Sequence, residues 1–252
     1  MFRVTPTIEP FASVVLATPS SEDVEVENMR PAKDRLRSRT VVSRSRARGT
    51  GRYPSWKMGR MLQWESPHEL NGFRLLDADP TVQAFHEQPF VIRFTHSNET
   101  HVHYPDVLVE RTGGGREVWE IKAAKEAVRP EIVARTLLLQ SALPDSGLKY
   151  RMLIGEELKR EPRLTNALTL LKYGRHQIDG ADRERIRQIL SAVSVIRWAS
   201  AVNGDLGPQG RAVLCRLTLE GLLVFDFETK LTGMTVFAAS GSESPSSGYC
   251  LI

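Results

Sequence analysis

Two β-rich runs, residues 101–110 and 117–122, flank a turn built on Gly113-Gly114-Gly115, and this pair constrains the fold more than any other stretch. An antiparallel hairpin is the expected outcome. Symmetry about Gly113 sets Asp106 across from Glu120. Side chains two apart on a strand share a face, so Glu120 and Lys122 point one way while Trp119 and Ile121 point the other. Two acids that meet directly destabilise a bare sheet, and the arrangement makes sense with a divalent cation between them. Carboxylates suit the hard ions Mg2+ and Mn2+, which keep waters for a reaction. An ammonium at Lys122 then orients such a water and faces the charge that builds on a phosphorus centre. The pattern predicts metal-dependent phosphodiester hydrolysis. It is also short, and the alternative is an exposed polar face at 120 and 122 with a turn acid after Pro105.

The flanking sequence predicts an α/β fold with a mixed sheet flanked by helices. Ser66-Pro67-His68-Glu69 is a capping box with proline at the first helical position. The helix it opens carries Leu70, Phe73 and Leu75 or Leu76 at helical spacing to about Asp77, and Asp79-Pro80 closes it. Residues 82–85 and 90–94 are expected as a strand pair, 132–140 as a helix, 149–154 as a strand and 166–173 as a helix ending at Gly174. Beyond Asp179 the pattern changes to small helical units, with Ile186, Ile189, Leu190 and Val193 on one face. A helix over 211–220 capped by Gly221, a strand over 222–227 and a further segment to Phe237 predict a small winged-helix-like or helix-turn-helix module over 179–239. Residues 240–252 are expected to be a flexible tail.

Charge is concentrated at one end. Residues 30–60 hold eleven Lys or Arg against Asp34 alone, a balance of +10, so the rest of the chain carries −6 of the total +4. Residues 1–50 lack periodicity and are read as a basic, largely disordered arm; phosphate contacts are expected from Arg44, Arg46, Arg48, Arg52, Lys57 and Arg60. The alternative is a solvated tail. No apolar run is long enough to cross a bilayer, and Pro6, Glu9 and Pro10 break the apolar stretch near the start, so neither a membrane span nor a secretory leader is expected. Two cysteines, Cys215 and Cys250, make a disulfide framework implausible and favour a reducing, cytoplasmic setting.

Further blocks accompany the acids. Gly51-Arg52-Tyr53-Pro54-Ser55-Trp56-Lys57, Glu65-Ser66 with Glu69, Asp79-Pro80-Thr81-Val82, Gln88-Pro89, His103-Tyr104-Pro105-Asp106-Val107 and Glu120-Ile121-Lys122 occur in this order, followed by the helix from Asn166 to Tyr173. Together, over roughly residues 50–175, they resemble the N-terminal domain of TnsA-type transposon endonucleases, of the PD-(D/E)xK or restriction-endonuclease-like superfamily. The resemblance implies a nuclease domain over 51–178 with a restriction-endonuclease-like core. It implies that Glu69 joins Asp106, Glu120 and the Ile121 carbonyl in a metal shell, with Lys122 as the catalytic lysine. Glu69 also has a complete explanation as the partner of the Ser66 cap, but an acid sharing the buried helix face with Phe73 and Leu76 favours the metal role, with Glu65 as its rival. The best-studied family member has an amide where Glu120 stands; the acid is the commoner superfamily choice. Gln88 is read as structural. His101 and His103 share a strand face and are read as packed or phosphate-facing rather than metal-binding.

The implied activity is Mg2+-dependent cleavage of double-stranded DNA at the 5′ ends of a transposon, with Mn2+ as a substitute. The implied partners are a DDE-type transposase subunit and an AAA+ ATPase regulator, in a bacterial cytoplasm. Rival readings are a stand-alone nuclease of phage, repair or defence systems, and a non-catalytic DNA-binding regulator.

Overall fold

A proline after a left-handed residue, and a second proline inside a predicted strand, decide how the sheets are divided. The computed structural model describes residues 25–31 (backbone only), 49–96 and 99–241. These form two compact units, one from residues 25–31, 49–72, 82–96 and 99–158, the other from 73–81 and 159–241. No helix among the described residues is long and apolar enough to cross a membrane.

In the first unit, strands β1 (Glu25–Pro31), β2 (Gly51–Ser55) and β3 (Arg60–Trp64) precede the start of helix α1 (Pro67–Ala78), whose residues from Phe73 onward are counted with the second unit. They are followed by β4 (Val82–Glu87), β5 (Phe90–His96), β6 (Glu99–His103), β7 (Val107–Arg111) and β8 (Arg116–Lys122). The helices α2 (Ala124–Ala127) and α3 (Pro130–Ala142) then lead to β9 (Lys149–Ile154). Strands β4-β7-β8-β9 make a mixed sheet with β8 and β9 parallel; β1-β5-β6 and β2-β3 make separate antiparallel sheets.

The expected hairpin register holds, from Val107↔Trp119 to Glu110↔Arg116. Two expectations fail. Residues 82–85 and 90–94 do not pair: β4 pairs with β7, while β5 pairs with β6 and β1. Gln88 between them has φ 43, a left-handed conformation, and Pro89 offers no N–H, so the chain leaves one sheet and enters another. The single strand expected over 101–110 is likewise split at Tyr104-Pro105-Asp106 into β6 and β7, in different sheets. Residues 25–31, inside the stretch read as an arm, form β1. Arg44, Arg46 and Arg48, and most of the tail over 240–252, lie outside the described residues.

The core of this unit joins Phe90, Ile92 and Phe94 of β5 to Val118, Tyr150 and the α3 residues Leu138 and Leu139. Each fully buried aliphatic or aromatic side chain contributes about 1.5–3 kcal/mol relative to exposure.

The second unit contains α4 (Arg163–Gly174), α5 (Gly180–Ala192), β10 (Val195–Arg197), α6 (Trp198–Asn203), α7 (Gly210–Leu219), β11 (Leu223–Val224) and β12 (Val236–Ala239). The small strands form an antiparallel sheet ordered β10-β12-β11. Helices and a short sheet match the element types expected, but the strand expected over 222–227 is two residues long. The division between units falls at 158/159 rather than 178/179, because α4 packs on α7; a Cβ at Gly174 would stand 2.8 Å from the Cys215 carbonyl carbon. Asn166 on α4 shapes the loop after β11. Its Nδ2 donates to the carbonyls of Phe227 and Thr229, each at 2.9 Å, and its Oδ1 accepts the Leu231 N–H at 3.2 Å. Cys215 is buried, and that burial pushes its thiol up to about 12.

Candidate active site

The hairpin ladder stops at Asp106, and that stop builds the site. The Asp106 N–H donates to the Trp119 carbonyl at 3.1 Å, but Pro105 interrupts the strand beyond it. The next ladder donor on β8, the Ile121 N–H, donates instead to Asp106 Oδ2 at 2.7 Å. A side-chain carboxylate has taken the place of a backbone carbonyl, so Asp106 is anchored to β8 beside Glu120 and Lys122.

Glu120 and Lys122 share a face as expected. Lys122 Nζ lies 2.5 Å from Glu120 Oε1 and 3.9 Å from Asp106 Oδ2. Arg135, on α3, donates to the same Glu120 Oε1 at 3.0 Å. His103 Nε2 stands 3.3 Å from Glu120 Oε2, and the Tyr150 hydroxyl stands 3.4 Å from that ring nitrogen. The His103–Glu120 approach is close but poorly aligned, and Glu120 Oε2 is left buried without a hydrogen bond.

These neighbours separate the acids electrostatically. Burial alone would raise Glu120, but the His103 ring and the Lys122 ammonium outweigh it and hold the carboxyl at about 2. Asp106 goes the other way: burial, then the charges of Glu120 and Glu69, push it well above the usual carboxylate range against the pull of Lys122. Burial works against the Lys122 ammonium, yet Asp106 and Glu120 raise it above its ordinary value, so it stays charged at neutral pH. Burial, with Glu120 next, also pushes the Tyr150 hydroxyl up.

Glu69 completes the predicted cap. Its N–H donates to Ser66 Oγ at 3.2 Å, the Ser66 hydroxyl donates to Glu69 Oε1 at 3.0 Å, and the Glu65 N–H donates to Glu69 Oε2 at 2.8 Å. Both carboxylate oxygens are therefore engaged by the helix start. Burial raises Glu69 despite these donors. Its charge acts on Asp106 and it senses Lys122, so it belongs to the same electrostatic neighbourhood. Glu65, the rival, accepts the Gln88 side-chain amide on Oε1 at 2.7 Å.

Among the described residues, no group of three or more His, Cys, Asp or Glu side chains is arranged to hold a metal ion. Asp106 and Glu120 nonetheless supply the oxygen donors a hard dication takes, and the unbonded Glu120 Oε2 is a free buried acceptor. The donor set fits a two-carboxylate shell completed by water, with Lys122 beside both carboxylates.

Of the proposed DNA contacts, Arg52 is exposed on β2. Lys57 donates to the Val82 carbonyl at 2.8 Å, and Arg60 grips both Glu87 oxygens at 2.9 and 2.7 Å, so both spend their charge inside the fold. His101 stacks on Phe94 with ring centroids 5.2 Å apart, while His103 is buried. Both are packed, as expected. Arg135 and Tyr150 escaped the sequence reading. The available signal was Arg135 standing as the one charge in the apolar stretch 132–142.

Residues 79–153 match the family model for the TnsA-like endonuclease N-terminal domain, less than a third of the chain. No curated protein matches the chain. The matched stretch contains Gln88, His103, Asp106, Glu120, Lys122, Arg135 and Tyr150 and ends short of Glu65 and Glu69 on the N-terminal side. It supports the resemblance to a TnsA-type endonuclease.

Proposed function

We propose that the chain is a metal-dependent DNA endonuclease that hydrolyses a phosphodiester bond, with Mg2+ as the natural cofactor and Mn2+ as a substitute. The observation that carries this is the gathering of Asp106, Glu120 and Lys122 at the end of one hairpin, inside the stretch matched by an endonuclease domain. Asp106 and Glu120 would hold the ion, with the Ile121 carbonyl and Glu69 as the further ligands implied by the resemblance. When bound, the dication supplies Lewis acidity at the phosphoryl group and acidifies a water. The protein residues do the rest. The Ile121 N–H fixes Asp106 in place. Lys122, held as an ammonium, acts as a charge stabiliser and hydrogen-bond donor toward the phosphoryl oxygens rather than as a base. Arg135 orients Glu120 through its hydrogen bond to Oε1, while His103 and Lys122 keep that carboxyl ionised.

The restriction-endonuclease-like core, cleavage at the 5′ ends of a transposon and assembly with a DDE-type transposase subunit and an AAA+ ATPase regulator follow from the same reading. Arg52 would contact DNA phosphates, together with Arg44, Arg46 and Arg48. The second unit would serve as a winged-helix-like module for DNA or partner proteins. The test is nicking of supercoiled plasmid with its transposase partner supplied, with Mg2+ or Mn2+ and with chelator. Asp106→Ala and Glu120→Ala are expected to abolish nicking and leave DNA binding intact. Equal cleavage by variant and parent, or nicking that survives chelation, sinks the reading.

A further inference from the structure

Gln88 is buried and backbone-strained, and it hydrogen-bonds both the Asp106 backbone and Glu65, whose N–H holds Glu69. Its φ of 43 lies in the left-handed region, which non-glycine residues rarely adopt, and Pro89 after it disfavours that conformation further. Residue 88 follows β4 where residue 106 precedes β7, one step beyond the pair Glu87↔Val107, so its N–H meets the Asp106 carbonyl at 2.9 Å. Its Nε2 donates to Glu65 Oε1 at 2.7 Å. A carboxylate only accepts, so this bond fixes which end of the amide faces Glu65. The other end, Gln88 Oε1, is left buried with no hydrogen bond. Glu65 in turn donates its N–H to Glu69 Oε2 at 2.8 Å. One continuous chain of hydrogen bonds therefore runs from Glu69 through Glu65 and Gln88 to Asp106.

We propose that Gln88 is a positioning residue: through Glu65 it fixes where Glu69 on α1 stands relative to Asp106 on the hairpin, and so sets the spacing of two carboxylates that would serve as metal ligands. This rests on the nuclease reading and names the device that presets its site. A left-handed backbone before proline and an unpaired buried carbonyl both cost stability. A glycine would remove both costs, so the glutamine is explained by the tether it makes. Substitutions in the shell around metal ligands lower metal affinity or activity by about 10–100-fold.

The test uses the full chain, with Mn2+ titrated by calorimetry, plasmid nicking resolved into kcat and KM, and thermal denaturation. Gln88→Gly is expected to melt close to the parent, because the relief of positive φ offsets the amide bond lost to Glu65. It is expected to lose about tenfold or more in Mn2+ affinity, and a similar factor in kcat with KM for DNA unchanged. Gln88→Glu places like charges together and is expected to be worse. The exchange Glu65→Gln with Gln88→Glu restores an amide-to-carboxylate bond and is expected to recover most of the affinity. Parent-like Mn2+ affinity and kcat in Gln88→Gly overturn the proposal, as does an exchange variant that recovers nothing. Should the glycine variant not fold, the exchange variant decides alone. The parent's own titration separates the two levels: a parent that neither binds Mn2+ nor cuts DNA overturns the nuclease reading and this proposal with it.

Discussion

Glu120 on β8 and Glu69 at the start of α1 are the same residue type in one electrostatic neighbourhood, held in opposite ways. Glu120 is surrounded by side-chain cations and an imidazole and is pinned at about 2. Glu69 is held by a hydroxyl and a backbone N–H, and burial raises it. A neighbouring imidazole and an ammonium together outweigh burial, whereas the neutral dipoles of a helix cap do not. The strand end is thus a preset carboxylate with a counter-charge beside it, and the helix start holds its carboxylate with cap hydrogen bonds and is tied to Asp106 through Glu65 and Gln88.

The largest break in this contrast comes from Glu120→Ala. Removing a buried acid strands Lys122 and Arg135, and about 3–5 kcal/mol of stability should be lost in chemical denaturation along with all nicking. Next is acid. Because the folded Glu120 is depressed from 4.5 to about 2, its stabilising contribution is complete above the unfolded value and fades as pH falls between them. Denaturation midpoints from pH 6 to pH 2 should show that loss in the parent, and Glu120→Gln should flatten it. A smaller effect sharpens the other side: Ser66→Ala should cost about 1 kcal/mol by removing the cap while retaining nicking, whereas Glu69→Gln keeps much of the cap. Loss of nicking in Glu69→Gln would promote Glu69 from cap partner to ligand; retained nicking would leave it a cap partner. Smallest is Arg52→Ala, expected to leave the melting temperature unchanged and reduce the slope of log K against log salt for DNA binding by about 1.

The hairpin register was legible because strand alternation and a glycine turn are local signals, and together they set Val107 against Trp119 and bring Asp106 to the end of that ladder without tertiary information. The cap was legible for the same reason. What escaped depended on partners distant in sequence. Arg60 looked like part of a basic arm because its partner, Glu87, stands 27 residues later. Arg135 meets Glu120 only once α3 lies beside β8, and no period in the sequence announces that. The β4–β5 pairing failed because a tight link between two β-rich runs reads as a hairpin, and the left-handed turn at Gln88 that sends the chain into another sheet leaves no mark in the residue type.

Asn166 carries a lesson about inheritance of shape. One amide matches two acceptors and a donor on the segment around Thr229, standing in for the strand that would otherwise template it. The bend there is written on α4 rather than in the letters it is made of, so those letters are at liberty to drift while the mould persists. Asn166→Asp, nearly identical in size, swaps both offered hydrogens for lone pairs and turns the mould against its cast.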